Sequence, residues 1–279
     1  MRFYENVTLA LGMTTDNNGD SALVGAAERS FAIVEQLAES EESGVSALAD
    51  SLSISKSTVH NHLQTLRKLG YVVKEGDEYR VGLQFLDLGE RARQQHELYH
   101  DMKAETDSLV EAVGERAQVM VEENGVGIYI YQSLADQAVR TDSHIGTVVN
   151  LHATSVGKAY LAHLPADERE EHIERGAFPE KTPNTLTDSE ALRTELDEIA
   201  ERGYAFNDEE RTVGMRAVGA PILADDDDRV RRGPRARRDQ RLRSDDSDER
   251  GLVPRGDSRD GRTVRPRHRY PGDVFVVVL

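Results

Sequence analysis

His152, Ser155, Asp208, Glu209 and Glu210 are the residue types from which acid–base and hydrolytic centres are built. The local patterns that make such residues catalytic are missing: the sequence has no Gly-x-Ser-x-Gly elbow, no P-loop and no His-Glu-x-x-His. Cysteine is absent, which excludes thiol nucleophiles, disulfides and thiolate metal sites. His144 and His152 lie near carboxylates, but their spacing is weak evidence for a metal. The expectation is therefore no enzyme activity, no cofactor and no metal.

Recognition chemistry is more evident in Lys56, Ser57, Thr58, His60, Asn61 and Gln64. At helical spacing these residues share one exposed side and offer donors and acceptors suited to base edges and phosphates. Lys56, Ser57 and Thr58 fall in the first turn, where free backbone N–H groups also favour phosphate. The competing reading is an ordinary solvated face. His62, beside Leu63, reads as a half-buried structural histidine.

The elements that must hold this face follow from the periodicity. Phe31, Ile33, Val34 and Leu37 predict a helix from about Gly25, ended by Ser43-Gly44. Ser46 is a plausible cap for a short helix over Ala47 to Leu52. After Ser53-Ile54-Ser55, a second helix runs from Lys56 to Leu69, capped by Ser55 and stopped by Gly70, with Val59, Leu63 and Leu66 packed inward. Tyr71-Val72-Val73 and Glu78 to Val81 flank Lys74-Glu75-Gly76-Asp77 as a hairpin, from which Lys74 and Arg80 reach a DNA backbone. Two helices with a tight turn followed by a hairpin make a winged helix-turn-helix.

The totals set bounds on this reading. A chain of 279 residues has room for about two domains. No apolar run is long enough for a bilayer and no signal peptide is evident, so the expected compartment is the cytoplasm, with no membrane partner. The net charge of -16 is unusual for a DNA binder. It fits either an acidic protein that never meets DNA or one adapted to a salt-rich cytoplasm. Six Lys against 29 Arg favour the halophilic reading, and the local patch, not the net charge, governs binding.

Further along, Phe85 to His100 reads as a connecting helix, and Leu98, Met102, Leu109, Val110 and Val113 continue into a helix ending at Gly114. Strands over Gln118–Glu122 and Gly127–Tyr131 flank an Asn124-Gly125 turn, and Val139 to Ser143 reads as another strand. A helix begins at Ala153-Thr154-Ser155 and runs to about His163; its N–H groups and the Thr154 and Ser155 hydroxyls suit a carboxylate. Pro165 and Asp167 start the next helix. Thr187, with Glu190, reads as the capping box of a helix to Arg202, and Val213 to Ile222 reads as a buried strand.

The stretch Gly44-Val45-Ser46-Ala47-Leu48-Ala49, Ser55 to Leu63 and Leu69-Gly70-Tyr71, together with Leu151-His152-Ala153-Thr154-Ser155-Val156-Gly157-Lys158 and Arg202-Gly203-Tyr204-Ala205 with Asn207 to Glu210, resembles the IclR family of transcriptional regulators over about Gly25 to Arg229. The resemblance implies a mixed α/β chain: a winged helix-turn-helix joined by a linker helix to a GAF-like α/β effector-binding domain. It implies a double-stranded DNA operator, a small organic acid or aromatic metabolite as effector, and a homodimer or dimer of dimers. The pocket implied lies between the sheet and the loops carrying Gly146, Leu151, His152, Thr154, Ser155, Asn207, Asp208, Glu210 and Met215. Asn61 departs from the arginine frequent in the family; it suits adenine but cannot clamp guanine. The alternative is a ligand-sensing or scaffold protein whose helix-turn-helix no longer binds DNA.

The expected organisation is a disordered extension over 1–23, the DNA-binding domain over 24–84, a linker helix over 85–100, an incomplete effector domain over 101–229 and a disordered tail over 230–279. From Val230 to Leu279 there are 14 Arg, no Lys and 8 acidic residues without periodicity, and only Val274 to Leu279 is continuously apolar. That composition suits a basic arm, disorder or an out-of-frame reading of a GC-rich gene, and the last is favoured. It puts a sheet edge and the family's closing helix in doubt.

Overall fold

A computed structural model describes residues 24–40, 42–138, 141, 143–222 and 274–278. The expectations for 1–23, and for 230–279 apart from 274–278, lie outside the described residues.

The N-terminal unit runs α1 (Gly25–Ser40), β1 (Ser43–Gly44), α2 (Val45–Leu52), α3 (Lys56–Lys68), β2 (Val72–Glu75) and β3 (Glu78–Val81), with an antiparallel sheet ordered β1-β3-β2. Its core is Ile33, Leu37, Leu48, Ala49, Val59, Leu63, Val72 and Tyr79. Ser53 turns the chain between α2 and α3 in the left-handed region, φ 56°, and lets the Ile54 N–H reach the Ala49 carbonyl at 3.1 Å. Gly76 (φ 62°) turns the hairpin, and Gly70 (φ 84°) ends α3. Two expectations are corrected. Phe31 is exposed and lies off the buried stripe of α1, because Ile33 and Leu37, four apart, define that stripe. Gly44 rather than Ser46 precedes α2, which begins at Val45 with no side-chain cap.

The expected single connecting helix over 85–100 is two helices, α4 (Gln84–Gln94) and α5 (Glu97–Val113), broken at Gln95-His96 where His96 is extended. α4 buries no residue, whereas α5 places Leu98, Met102 and Val110 on the second sheet. That packing sets the direction of α5.

The second unit continues with β4 (Arg116–Glu123), β5 (Val126–Leu134), β6 (Val148–Val149), a 3-10 turn at Leu151–Ala153, α6 (Ser155–His163), α7 (Ala166–Arg175), α8 (Ser189–Arg202), β7 (Ala205–Asp208), β8 (Arg216–Ile222) and β9 (Val274–Val278). All ladders are antiparallel in the order β6-β5-β4-β9-β8-β7. Asn124 (φ 55°) and Gly125 (φ 84°) form the expected primed turn. One face of the sheet, with Met120 and Tyr129, packs on α6 and α8 through Val156, Ala159, Leu192, Leu196 and Ile199. The other face, with Ala117, Val119, Val121 and Ile130, packs on α5.

Several expectations for this unit are also corrected. Residues 274–278 of the tail are not disordered: they form the strand between β4 and β8, paired on both edges, because an apolar β-branched run satisfies two open ladders at once. Asp188, not Thr187, caps α8, accepting from the Ala191 N–H at 2.9 Å. The last buried strand starts at Arg216, since Gly214 adopts φ 81° and Val213 is exposed. Of the strand expected at Val139 to Ser143, Thr141 and Ser143 lie in no strand; residues 139, 140 and 142 lie outside the described residues.

Candidate nucleic-acid interface and ligand cavity

Ser55 caps α3 by accepting from the Thr58 N–H at 3.1 Å. Its hydroxyl also lies 2.8 Å from the hydroxyls of both Ser57 and Thr58. The first turn of α3 is thus lined with hydroxyl groups beside exposed Lys56. His60 and Asn61 are exposed and Gln64 is half-buried on the same helix. Within a chain of net charge -16, α3 has no carboxylate and ends in Arg67-Lys68. His62 faces inward, with Nδ1 2.8 Å from the Ser30 hydroxyl, and serves as a strut between α1 and α3.

The wing carries Lys74 and Arg80, but neither extends freely. Arg80 is held by Glu75 at 2.6 Å, and the Lys74 ammonium lies 5.6 Å from the centre of the Tyr79 ring. A phosphate approaching the wing must compete with Glu75 for Arg80.

In the second unit, α6 is drawn against the sheet by two glycines. A Cβ at Gly219 would lie 2.5 Å from the Ser155 carbonyl carbon, and one at Gly157 would collide with the Leu151 carbonyl. Thr154 caps α6 by accepting from the Gly157 N–H at 3.1 Å. Beside this helix start lies a small cavity of about 30 Å³, partly open to solvent. Thr154, Ser155, Asn207 and Met215 from the expected set line it. Gln118, Tyr129, Ser143, Arg211, Thr212 and Ala217 also line it. These six carried no local sequence signal, because β4, β5, the segment before β6, the loop before β8 and β8 bring them together only in three dimensions. Arg211 donates to the Ser143 hydroxyl at 2.9 Å, and Asn207 donates to the Ala153 carbonyl at 2.7 Å.

The other expected residues lie elsewhere. Leu151 and His152 border a separate groove of about 720 Å³ that also contains Glu122, Glu168, Glu171 and Glu174. His152 Nε2 is 3.3 Å from the Pro179 carbonyl, and burial pushes its pKa down to about 4. Gly146 turns the chain at φ 88°. Asp208 is paired with Arg216 at 2.5 Å. Glu210 is buried against Lys158, Nζ to Oε1 2.7 Å, and lines neither space.

No metal-binding group of three or more His, Asp or Glu occurs among the described residues, and no described helix is long and apolar enough to cross a membrane.

A helix-turn-helix with a wing, followed by a domain with a cavity at a helix start, is the architecture of a DNA-binding transcriptional regulator. Residues 26–76 match the model of the IclR helix-turn-helix domain, and residues 90–231 match that of the bacterial transcriptional regulator IclR C-terminal domain. The chain belongs to the IclR family of transcriptional regulators. It is 31% identical over 210 residues to a probable HTH-type transcriptional regulator, ArcR, of Halobacterium salinarum, covering 74% of this chain and 80% of that protein. It is 32% identical over 195 residues to the regulator KdgR of Escherichia coli, covering 69% of this chain and 74% of that protein. Among solved structures, an IclR-type regulator of Alicyclobacillus acidocaldarius aligns with a TM-score of 0.64 at 19% identity over 92% of this chain and 88% of that one. An IclR homolog of Microbacterium hydrocarbonoxydans, complexed with 4-hydroxybenzoate, aligns with a TM-score of 0.62 at 21% identity over 72% of this chain and 84% of that one.

Proposed function

We propose that this regulator binds a small organic anion in the cavity at the start of α6 and uses it to control how two α3 helices engage an operator. The observation that carries the ligand class is the charge of the wall. Among the described residues it holds the Arg211 guanidinium and the first turn of α6, and no carboxylate, so an anion meets a cation and a helix N-terminus together. The larger groove, with four glutamates, disfavours the same ligand.

The DNA contacts proposed are Ser55, Lys56, Ser57 and Thr58 on phosphate, His60, Asn61 and Gln64 on base edges, and Lys74 and Arg80 on the flanking backbone. Two copies would supply the two half-sites. Leu83, Leu86 and Leu88 in and beside α4 are exposed, as are Phe31 and Leu69, and their apolar surface fits a dimer contact. The protein acts as a regulator rather than an enzyme, in a salt-rich cytoplasm, where the acidic exterior keeps it hydrated. The arginine-rich composition beyond residue 230 fits an out-of-frame segment, which the coding DNA read in its other frames would test.

Gel shifts on the upstream region, run across a salt series with and without 4-hydroxybenzoate or pyruvate, test the reading. Saturable, salt-sensitive binding that an acid shifts supports it; binding that ignores both operator sequence and acid refutes it.

A further inference from the structure

Lys158 is 2% exposed and sits one turn into α6, away from the cavity wall. Its ammonium lies 2.7 Å from Glu210 Oε1 and 3.5 Å from Glu195 Oε1. Glu195 is itself shared with Arg202 at 2.8 Å. Glu210 is the fixed point of the loop that follows β7. Its carbonyl accepts from Thr185 Oγ1 at 2.6 Å and from Thr182 Oγ1 at 3.2 Å, and its N–H donates to Asn207 Oδ1 at 3.3 Å. The next residues, Arg211 and Thr212, and then Met215, line the cavity.

Stability alone is a poor reason for this arrangement. Desolvating two charges offsets most of their attraction, and an apolar pair of similar volume often does as well. Glu210 Oε2 is moreover buried without a hydrogen-bond partner among the described residues. An ion pair does have one property an apolar pair lacks: its short, directed contact fixes one loop position against one helix position.

We propose that Lys158 is a positioning residue of the cavity: by gripping Glu210 it holds Arg211, Thr212 and Met215 at the mouth beside the start of α6. The ligand-binding part of this inference rests on the reading of that cavity as the effector pocket. The geometric part does not.

The test uses the full chain, which has no cysteine. A spin label on Val213→Cys, at an exposed loop position, reports loop order without any ligand. The double variant Lys158→Met/Glu210→Leu removes the pair without stranding a buried charge, and Lys158→Arg keeps the cation. In the double variant the label should become several-fold more mobile while the thermal transition stays cooperative, and Lys158→Arg should restore much of the order. Where the parent binds pyruvate or 4-hydroxybenzoate, affinity should fall at least tenfold in the double variant. Unchanged label mobility in a folded double variant overturns the proposal. A parent that binds neither acid, with a label that still loosens, would refute the effector reading and leave the positioning role standing. Should the double variant fail to fold, Glu210→Gln, which keeps the shape and weakens the grip, must show intermediate mobility, and parental mobility there overturns the proposal.

Discussion

Tyr129 and Tyr131 stand two residues apart on β5 and face opposite sides of the sheet. Met120 pairs with Tyr129 and Val119 with Tyr131, so Ile130 is an extra residue without a partner across the ladder. This bulge breaks the usual alternation. Tyr129 faces α6 and lines the cavity. Tyr131 packs on the α5 side, donates to Asp107 at 2.8 Å and meets the Tyr99 ring at 6.0 Å. Tyr99 in turn carries the Arg93 guanidinium, 4.4 Å from its ring centre, at the end of α4. The cavity wall is thereby one residue removed from the latch that joins the two helices between the domains.

The first prediction follows from that latch. Tyr131→Phe removes the hydrogen bond to Asp107, and Arg93→Ala removes the cation from the Tyr99 ring. Each variant should bind operator and acid nearly as the parent does, while the shift in operator affinity caused by the acid shrinks by fivefold or more. Coupling energies of about 1–3 kcal/mol are at stake in such linkages. Paired titrations of DNA with and without acid measure the coupling directly; a full response in both variants would remove the latch from the pathway.

The recognition face makes a second prediction. Lys56→Ala should weaken binding to every sequence and lower the salt slope by about 1, as expected for one lost phosphate contact. Asn61→Ala should cost about 1–3 kcal/mol on the preferred site and relax the preference at one base. Ser55→Ala removes the cap of α3 and should cost about 1 kcal/mol of stability. Binding isotherms at several salt concentrations, with thermal melts, separate these effects.

His152 gives a third prediction, with a definite sign. Its folded pKa is about 4 against an ordinary value of 6.5, chiefly because burial penalises the imidazolium. Above about pH 6.5 the ring is neutral in both states and its contribution is fully present. As pH falls from there towards 4, the unfolded chain takes up a proton that the folded chain refuses, and stability is lost. The loss amounts to roughly 3 kcal/mol at most. Replacing His152 with Gln should flatten the stability curve between pH 6.5 and 4 relative to the parent. Parallel curves in urea melts would rule the histidine out as the titrating group.

Core truncation in the first unit supplies the fourth. Leu63 is fully buried between α1, α2 and the sheet. Leu63→Ala should cost about 2–5 kcal/mol and abolish operator binding by unfolding the unit, whereas Lys56→Ala should leave the melt unchanged. Circular dichroism on the two variants distinguishes a lost contact from a lost fold.

Much of the first unit is legible in the sequence because its signals are local. Ser55 caps where a serine before Lys56-Ser57-Thr58 should cap, Val59 and Leu63 repeat at one helical turn, and Gly76 turns a hairpin. Of the two expected caps, Thr187 is replaced by its neighbour Asp188, whereas α2 starts after Gly44 with no side-chain cap. The cavity was legible at the start of α6, where Thr154 and Ser155 mark a helix start, and at Asn207 and Met215. Gln118 and Tyr129 reach it through strand pairing and the β5 bulge, and Ser143 from the loop between β5 and β6; no short sequence window encodes any of these. Leu151, His152 and Glu210 resemble site residues in sequence, but they face the large groove or the buried ion pair.

The strand Val274–Val278 is held along both edges by β4 and β8, and the chain reaches it from β8 only after residues 223–273. Cutting anywhere in that stretch would leave every ladder of the sheet in place and turn one of its middle strands into a bound peptide. The stability of the sensor domain would then acquire a concentration dependence, falling on dilution and recovering when the peptide is added back.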